Sequence, residues 1–272
     1  MRFWSFTCRR CRQSIWQSVR CYGHHTQTRY YHTMVNNKLH IIMPVKDSIA
    51  IAEKAIRAVV DSGHRLLVYD DNSLPENAKR LDDIASEMGI QVVHISELTD
   101  HPSPNYRLVL QRSQQQALSE DKHLVIIESD VLIQTDTLNR MLAEVQEGVG
   151  MVAAVTVDED GAYNFPYHYL RRLRYCFLSK KPISTKKRFS FCCTLLTHEL
   201  LQKADFQLLD PTKNWYDVTI SHWSVRLGLR NILTLDNPVL HFPHASRPWK
   251  RLKYINPLLY YWRKITQKKD RI

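Results

Sequence analysis

Leu124-Val125-Ile126-Ile127-Glu128-Ser129-Asp130 joins four consecutive apolar residues to an acid, a serine and a second acid. A short apolar run without alternation is the pattern of a strand buried on both faces, and such strands belong to parallel sheets covered by helices. Ligands of open α/β sheets bind just past the carboxyl ends of the strands. Two acids one residue apart at that place could hold a hard divalent cation and, through it, a diphosphate. Taken alone, the same acids read equally well as the start of a loop or the cap of a following helix.

Outward from this run, strand and helix patterns alternate. Residues 39–45 form an apolar strand. Residues 48–62 carry Ile49, Ala52, Ala55, Ile56 and Val59 at helical spacing, with Ser48 placed to cap the helix and Gly63 to stop it. A second strand, 65–69, runs into Asp70-Asp71-Asn72-Ser73, and a polar helix over about 75–88 ends at Gly89. Further strands are expected at 90–95, 123–127 and 150–157, and helices at 106–118 and 135–145. This order predicts a mainly parallel sheet flanked by helices on both faces, with right-handed crossovers. Beyond 157 the pattern loosens. Residues 167–178 read as a basic amphipathic helix or a mobile segment, 189–196 as a strand, 198–204 and 217–227 as helices, 231–240 as one or two short strands, and 255–265 as a terminal helix.

The chain has 272 residues, 44% of them hydrophobic, with only 7 glycines and 11 prolines, which is enough for a full core and argues against low complexity. No apolar run is long enough to span a bilayer. The net charge of +11 gathers at the ends. Residues 1–33 hold six arginines and no acid, and residues 247–272 hold nine lysines or arginines against Asp270 alone. The section between is slightly acidic, so the body is not a nucleic-acid-binding block.

In the leader, Cys8, Cys11, Cys21 and His24 have a loosely zinc-like spacing without the hairpin or helix of a finger, and an acid-free, Arg-rich stretch also matches a transit peptide. The favoured reading is a non-structural leader, 1–33, ahead of a folded unit that starts near Met34. The remaining cysteines, Cys176, Cys192 and Cys193, show no disulfide framework, and reduced thiols in the cytoplasm are the simplest expectation.

Three strand ends finish in polar clusters: Pro44-Val45-Lys46-Asp47, Asp70-Asp71-Asn72-Ser73 and Glu128-Ser129-Asp130. In a parallel sheet they lie on one edge and converge, which raises the acid pair above a chance loop. No Gly-x-Gly-x-x-Gly and no P-loop follows the first strand, so a nucleotide here would be held by carboxylates and a metal rather than a glycine cradle.

With these pieces in order, the chain from about 38 to 246 resembles a family 2 glycosyltransferase of the bacterial surface-polysaccharide type. The likeness rests on Ile41 to Asp47, Val68 to Ser73, Ile127 to Asp130 with Thr135-Asp136-Thr137-Leu138, Trp215-Tyr216-Asp217 with Arg226-Leu227-Gly228, and His241 with Ser246. It implies the GT-A (nucleotide-diphospho-sugar transferase) fold. A nucleotide-binding half would span about 38–157, and a looser acceptor half about 158–246. Pro44, Val45 and Asp71 would hold the nucleoside, with Asp70 structural, and Arg107 (or its rival Arg112) would lie near the base or diphosphate. Asp130 would bind Mg²⁺ or Mn²⁺, with His241 as a further metal or phosphate ligand, and Glu128, standing where the family has Asp, would bind the nucleotide sugar by reaching the ribose or the metal. Asp217 would be the general base of an inverting transfer, though Tyr216 stands where the family often has Glu. Trp215 and Tyr216 could stack on an acceptor sugar. The expected donor is a nucleotide sugar, a UDP-sugar first, and the acceptor a saccharide or lipid-linked oligosaccharide.

The tail, 247–272, mixes cations with aromatics such as Tyr260, Tyr261 and Trp262, which suits peripheral contact with an anionic inner membrane face or, equally, packing on the domain. Rival readings are a nucleotidyltransferase, whose Gly-rich basic loop is missing, a catalytically weak homologue, and a basic nucleic-acid-binding protein, for which no recognition motif is present.

Overall fold

The computed structural model describes residues 38–171, 181–213, 215–242 and 256–266. The leader with its cysteine spacing, Cys176, Ser246, most of the helix expected over 167–178 and the stretch 247–255 lie outside the described residues.

The elements run β1 (Leu39–Val45), α1 (Ile49–Asp61), β2 (Leu67–Asp70), α2 (Pro75–Met88), β3 (Gln91–His94), α3 (Tyr106–Ser119), β4 (His123–Ile127), β5 (Val131–Leu132), α4 (Thr137–Ala143), β6 (Val149–Val157), β7 (Ile183–Thr185), β8 (Cys193–Leu196), α5 (His198–Lys203), α6 (Tyr216–Arg226), β9 (Arg230–His241) and α7 (Pro257–Thr266). One sheet joins the strands in the order β3-β2-β1-β4-β8-β6-β9-β5, with β7 paired to β9. The first four strands pair in parallel. β8 then enters antiparallel between β4 and β6, so β6 does not extend the parallel ladder directly. β6 and β9 are parallel, while β5 and β7 run antiparallel to β9.

Alternation along the strands divides the core in two. Ile41, Met43 and Val45 of β1 and Val125 and Ile127 of β4 point to the face covered by α1, α2 and α4. Ile42, Leu124 and Ile126 point to the face covered by α3, α5 and α6. Each of these side chains is buried, and each contributes on the order of 1.5–3 kcal/mol relative to exposure. This two-sided burial is why the strand at 123–127 reads as a continuous apolar run.

The start of α1 differs from the expectation. Ser48 precedes the helix with φ 54° and makes no side-chain cap; its carbonyl accepts from Ile51 and Ala52 instead. Asp47 and Ser48 both take positive φ in a tight turn, which turns the Asp47 carboxylate across to α2. There it accepts the Leu74 amide at 2.9 Å and Asn77 Nδ2 at 2.8 Å. The Leu74 amide and the Asn77 bond hold this carboxyl below its usual range. A negative charge at a helix N-terminus also complements the helix dipole. Gly89 ends α2 as expected, at φ 65°, with the Ile90 amide returning to Ala85.

Candidate active site

The pairing register brings the strand ends together. Val45 lies opposite Asp70, and Asp70 opposite His94. Ile42 lies opposite Ile126, so Glu128 leaves β4 level with Pro44. Lys46 Nζ donates to the carbonyls of Asp71 and Asn72 at 3.1 Å each, and the Asp47 amide donates to Ser73 Oγ at 2.8 Å. The tips of β1 and β2 are thereby one unit.

The two aspartates at the end of β2, Asp70 and the next residue Asp71, do different work. Asp70 is buried and accepts the Ser73 amide at 3.2 Å and His94 Nδ1 at 2.9 Å, and His94 Nε2 meets Asp82 at 2.9 Å. Burial by itself would lower His94, but the bonds from Asp70 and Asp82 and their charges outweigh it and hold the imidazolium pKa above 6.5. Asp71 turns to the loop before α3. It accepts Ser103 Oγ at 2.7 Å, the Asn105 amide at 3.0 Å and Asn105 Nδ2 at 2.9 Å. The sequence gives no signal for this clamp, because its partners lie more than thirty residues away.

Beyond β4, the Glu128 amide donates to the Cys192 carbonyl at 3.0 Å, and Cys192 Sγ donates to Glu128 Oε2 at 3.2 Å. The two-residue strand β5 follows Asp130 at once and sets Val131 opposite His241. That short pairing brings His241 Nε2 to 3.8 Å from Asp130 Oδ2. One donor atom each from Glu128, Cys192 and His241 lies within 4.8 Å of the others. Cys192 was not among the expected site residues. Burial, then the Glu128 charge, pushes its thiol well up. Two carboxylates and an imidazole suit a divalent cation such as Mg²⁺ or Mn²⁺, so the residues present fit the metal that the resemblance implies.

Asp217 sits in the first turn of α6, after Trp215, which makes no side-chain cap. Its carboxylate accepts the Val218 amide at 2.8 Å. Burial raises its pKa, and the Val218 bond and Arg188 only partly offset this. Tyr106 lies near enough to Asp217, Glu128 and Cys192 for their charges to act on it. Its hydroxyl is buried without a hydrogen-bond partner among the described residues. Burial, followed by the charges of Glu128, Asp217 and Cys192, pushes it well up. Tyr106 stands at the start of α3, beside the predicted Arg107, and only the fold reveals what it faces.

Other expected residues fall elsewhere. Arg107 donates to the Gln207 carbonyl at 3.1 Å and lies near enough to Tyr216 to affect its titration; Arg112 is exposed. Tyr216 is only 5% exposed, and its hydroxyl donates to the Asp210 carbonyl at 3.2 Å. Its ring belongs to the core, so a stacking face is left to the half-buried Trp215. Near Asp217, a pocket of about 260 Å³ is lined by Pro166, Tyr169, Lys186, Lys187, Arg188 and His222, with Lys187 Nζ 3.8 Å from the Tyr169 ring centroid.

The strand order and the helices on both faces define an α/β architecture that solved structures share. The crystal structure of GalNAc-T7 with UDP, GalNAc and Mn²⁺ is similar over 77% of this chain and 44% of its own, with TM-score 0.54 and 11% identity. Staphylococcus aureus TarS (1–349) is similar over 80% of this chain and 64% of its own, with TM-score 0.54 and 14% identity. Both are GT-A folds, and so is this chain. It spans less than two thirds of the length of either. The Glycosyl transferase family 2 model matches residues 40–203, more than half of the chain, and the chain belongs to that family. No curated protein matches it in sequence. Asp217 and His241 lie beyond the matched residues.

Proposed function

We propose that this protein transfers a sugar from a nucleotide-sugar donor, a UDP-sugar first, to a saccharide or lipid-linked acceptor with inversion. The observation that carries the reading is the meeting of Asp130, Glu128 and His241 at the strand edge shared with Pro44, Val45 and Asp71. Pro44, Val45 and Asp71 hold the nucleoside, and Asp130, Glu128 and His241 hold the diphosphate through a cation. Bound Mg²⁺ or Mn²⁺ supplies charge neutralisation for the departing diphosphate. Asp217 takes the proton from the acceptor hydroxyl as its oxygen bonds to the anomeric carbon and the bond to the diphosphate oxygen breaks. Its raised pKa makes it a stronger base than an exposed aspartate. The cationic pocket at Lys186, Arg188 and His222 suits an acceptor that bears phosphate.

The test is donor hydrolysis and transfer across UDP-, GDP- and dTDP-sugars with Mn²⁺. Wild type turns over at least one donor, Asp130→Ala loses metal-dependent turnover, and Asp217→Ala loses transfer while retaining donor binding. Failure of every donor with wild type, or full turnover in Asp130→Ala, overturns the reading.

No helix among the described residues is long and apolar enough to cross a membrane. Helix α7 offers a different contact. Leu258, Tyr261, Trp262 and Ile265 form one exposed stripe, with Leu258 86% and Ile265 73% exposed, while Tyr260 on the other side is 4% exposed. An apolar stripe within a cationic tail suits the surface of an anionic bilayer, where the enzyme meets lipid-linked acceptors. Co-sedimentation with phosphatidylglycerol vesicles that is absent with phosphatidylcholine, and is lost in Trp262→Ser, supports this role. Equal recovery with both lipids contradicts it.

A further inference from the structure

We propose that Glu128, Cys192 and His241, with Asp130, form a thiolate-bearing site that takes Zn²⁺ in preference to Mg²⁺ or Mn²⁺, and that Zn²⁺ held there displaces the cation needed by the donor. The second half rests on the reading of this edge as the diphosphate site; the first half does not.

The donor atoms are of the right kind and number. Sulfur from Cys192, nitrogen from His241 and oxygen from Glu128 gather within 4.8 Å. Asp130 Oδ2 stands beside this group, 3.8 Å from His241 Nε2. Three protein ligands of mixed sulfur, nitrogen and oxygen, with the fourth position left to water, match the tetrahedral preference of Zn²⁺. Mg²⁺ is a hard cation that takes oxygen ligands and gains nothing from sulfur, whereas thiolate favours Zn²⁺. The Cys192 proton passes to solvent as the sulfur–zinc bond forms.

The surroundings orient these ligands. Asn164 Nδ2 donates to the His241 carbonyl at 2.9 Å, which fixes the amide and turns Asn164 Oδ1 to His241 Nδ1 at 3.3 Å. Nδ1 therefore carries the hydrogen, and Nε2 presents its lone pair on the side of Asp130. An outer-shell partner that fixes the tautomer in this way is the usual support of a metal-bound histidine. Cys192 is held by its own backbone, whose carbonyl accepts the Glu128 amide, and its sulfur lies 3.3 Å from Ser190 Oγ. Its neighbour Cys193 faces the Met141 sulfur at 3.7 Å within the core, so the adjacent pair has divided roles.

Cobalt tests the site directly, because Co²⁺ takes zinc ligands and a thiolate ligand gives a near-ultraviolet charge-transfer band. The full-length chain carries Cys8→Ser, Cys11→Ser and Cys21→Ser, so that the leader contributes no thiol. The band forms in this background and in its Cys193→Ser derivative, is abolished by Cys192→Ser, and is removed by added Zn²⁺. His241→Ala weakens Co²⁺ binding by tenfold or more with the Cys192 thiol still in place, which guards against misfolding of a single variant. No band, or a band that survives Cys192→Ser, overturns the site. In a separate arm, Zn²⁺ weakens Mn²⁺-dependent UDP binding at least tenfold in wild type; unchanged UDP affinity with Zn²⁺ bound overturns the displacement. If UDP does not bind with Mn²⁺ at all, the functional reading fails while the cobalt result still decides the zinc site.

Discussion

Asn105 holds both carboxylate oxygens of Asp71, with Nδ2 on Oδ1 at 2.9 Å and its backbone amide on Oδ2 at 3.0 Å. The loop before α3 is thus tied to the tip of β2. Asn105→Ala removes the side-chain bond to a charged acceptor and is expected to cost about 1.5–3 kcal/mol. Urea unfolding measures the loss, and UDP affinity falls with it if Asp71 holds the nucleoside. An unchanged midpoint and an unchanged affinity contradict the clamp.

His94 makes stability depend on pH. Its folded pKa lies above 6.5 because the bonds and charges of Asp70 and Asp82 outweigh burial. A group raised on folding stabilises fully below its unfolded pKa, and that contribution is lost as pH rises through the folded value. The urea midpoint therefore declines across that window in wild type, and His94→Gln flattens the decline. A slope retained in the variant assigns it to another group.

Asp217 must be ionised to act as base, and burial raises its pKa above the ordinary 3.8. Transfer is expected to fall with decreasing pH through this raised value. Arg188 partly offsets burial, so Arg188→Ala moves the acid limb to higher pH. Asp217→Asn lowers the rate by about 10²–10⁴-fold, the usual contribution of a positioned base. A pH–rate profile of wild type and both variants decides the matter.

Gly150 in β6 has no room for a side chain. A Cβ there would lie 2.9 Å from Leu229 Cβ and closer still to Ser224 Oγ. Ser224 is buried and donates to Asn231 Oδ1 at 2.6 Å, so it cannot swing aside freely. Gly150→Ala is expected to cost about 1–3 kcal/mol by overpacking, read as a lower thermal midpoint.

Much of the parallel half was legible because β1, β2 and β4 are covered on both faces and end in polar residues. The site's second half was not. Strand β5 is two residues long, too short for any periodicity, yet its pairing with β9, with the Phe242 amide on the Asp130 carbonyl, sets His241 beside Asp130. Cys192-Cys193 read only as reduced thiols without a disulfide framework, and the pairing of β4 with β8 shows that one sulfur faces Glu128. Tyr216 beside Trp215 and Asp217 read equally as a stacking platform or as core packing, and the turn into α6 directs it inward. Ser48 was placed as a cap by residue type, while the positive φ of Asp47 and Ser48 decides the turn.

The central claim is that the edge formed by Asp71, Glu128 and Asp130 binds a nucleoside diphosphate through a divalent cation. Calorimetric titration of UDP into the full-length protein, with and without Mn²⁺, tests it most directly. Binding that requires Mn²⁺, and that weakens at least tenfold in Asp130→Ala, is the predicted result. Binding indifferent to both Mn²⁺ and Asp130, or no binding of UDP, GDP or dTDP, contradicts the claim.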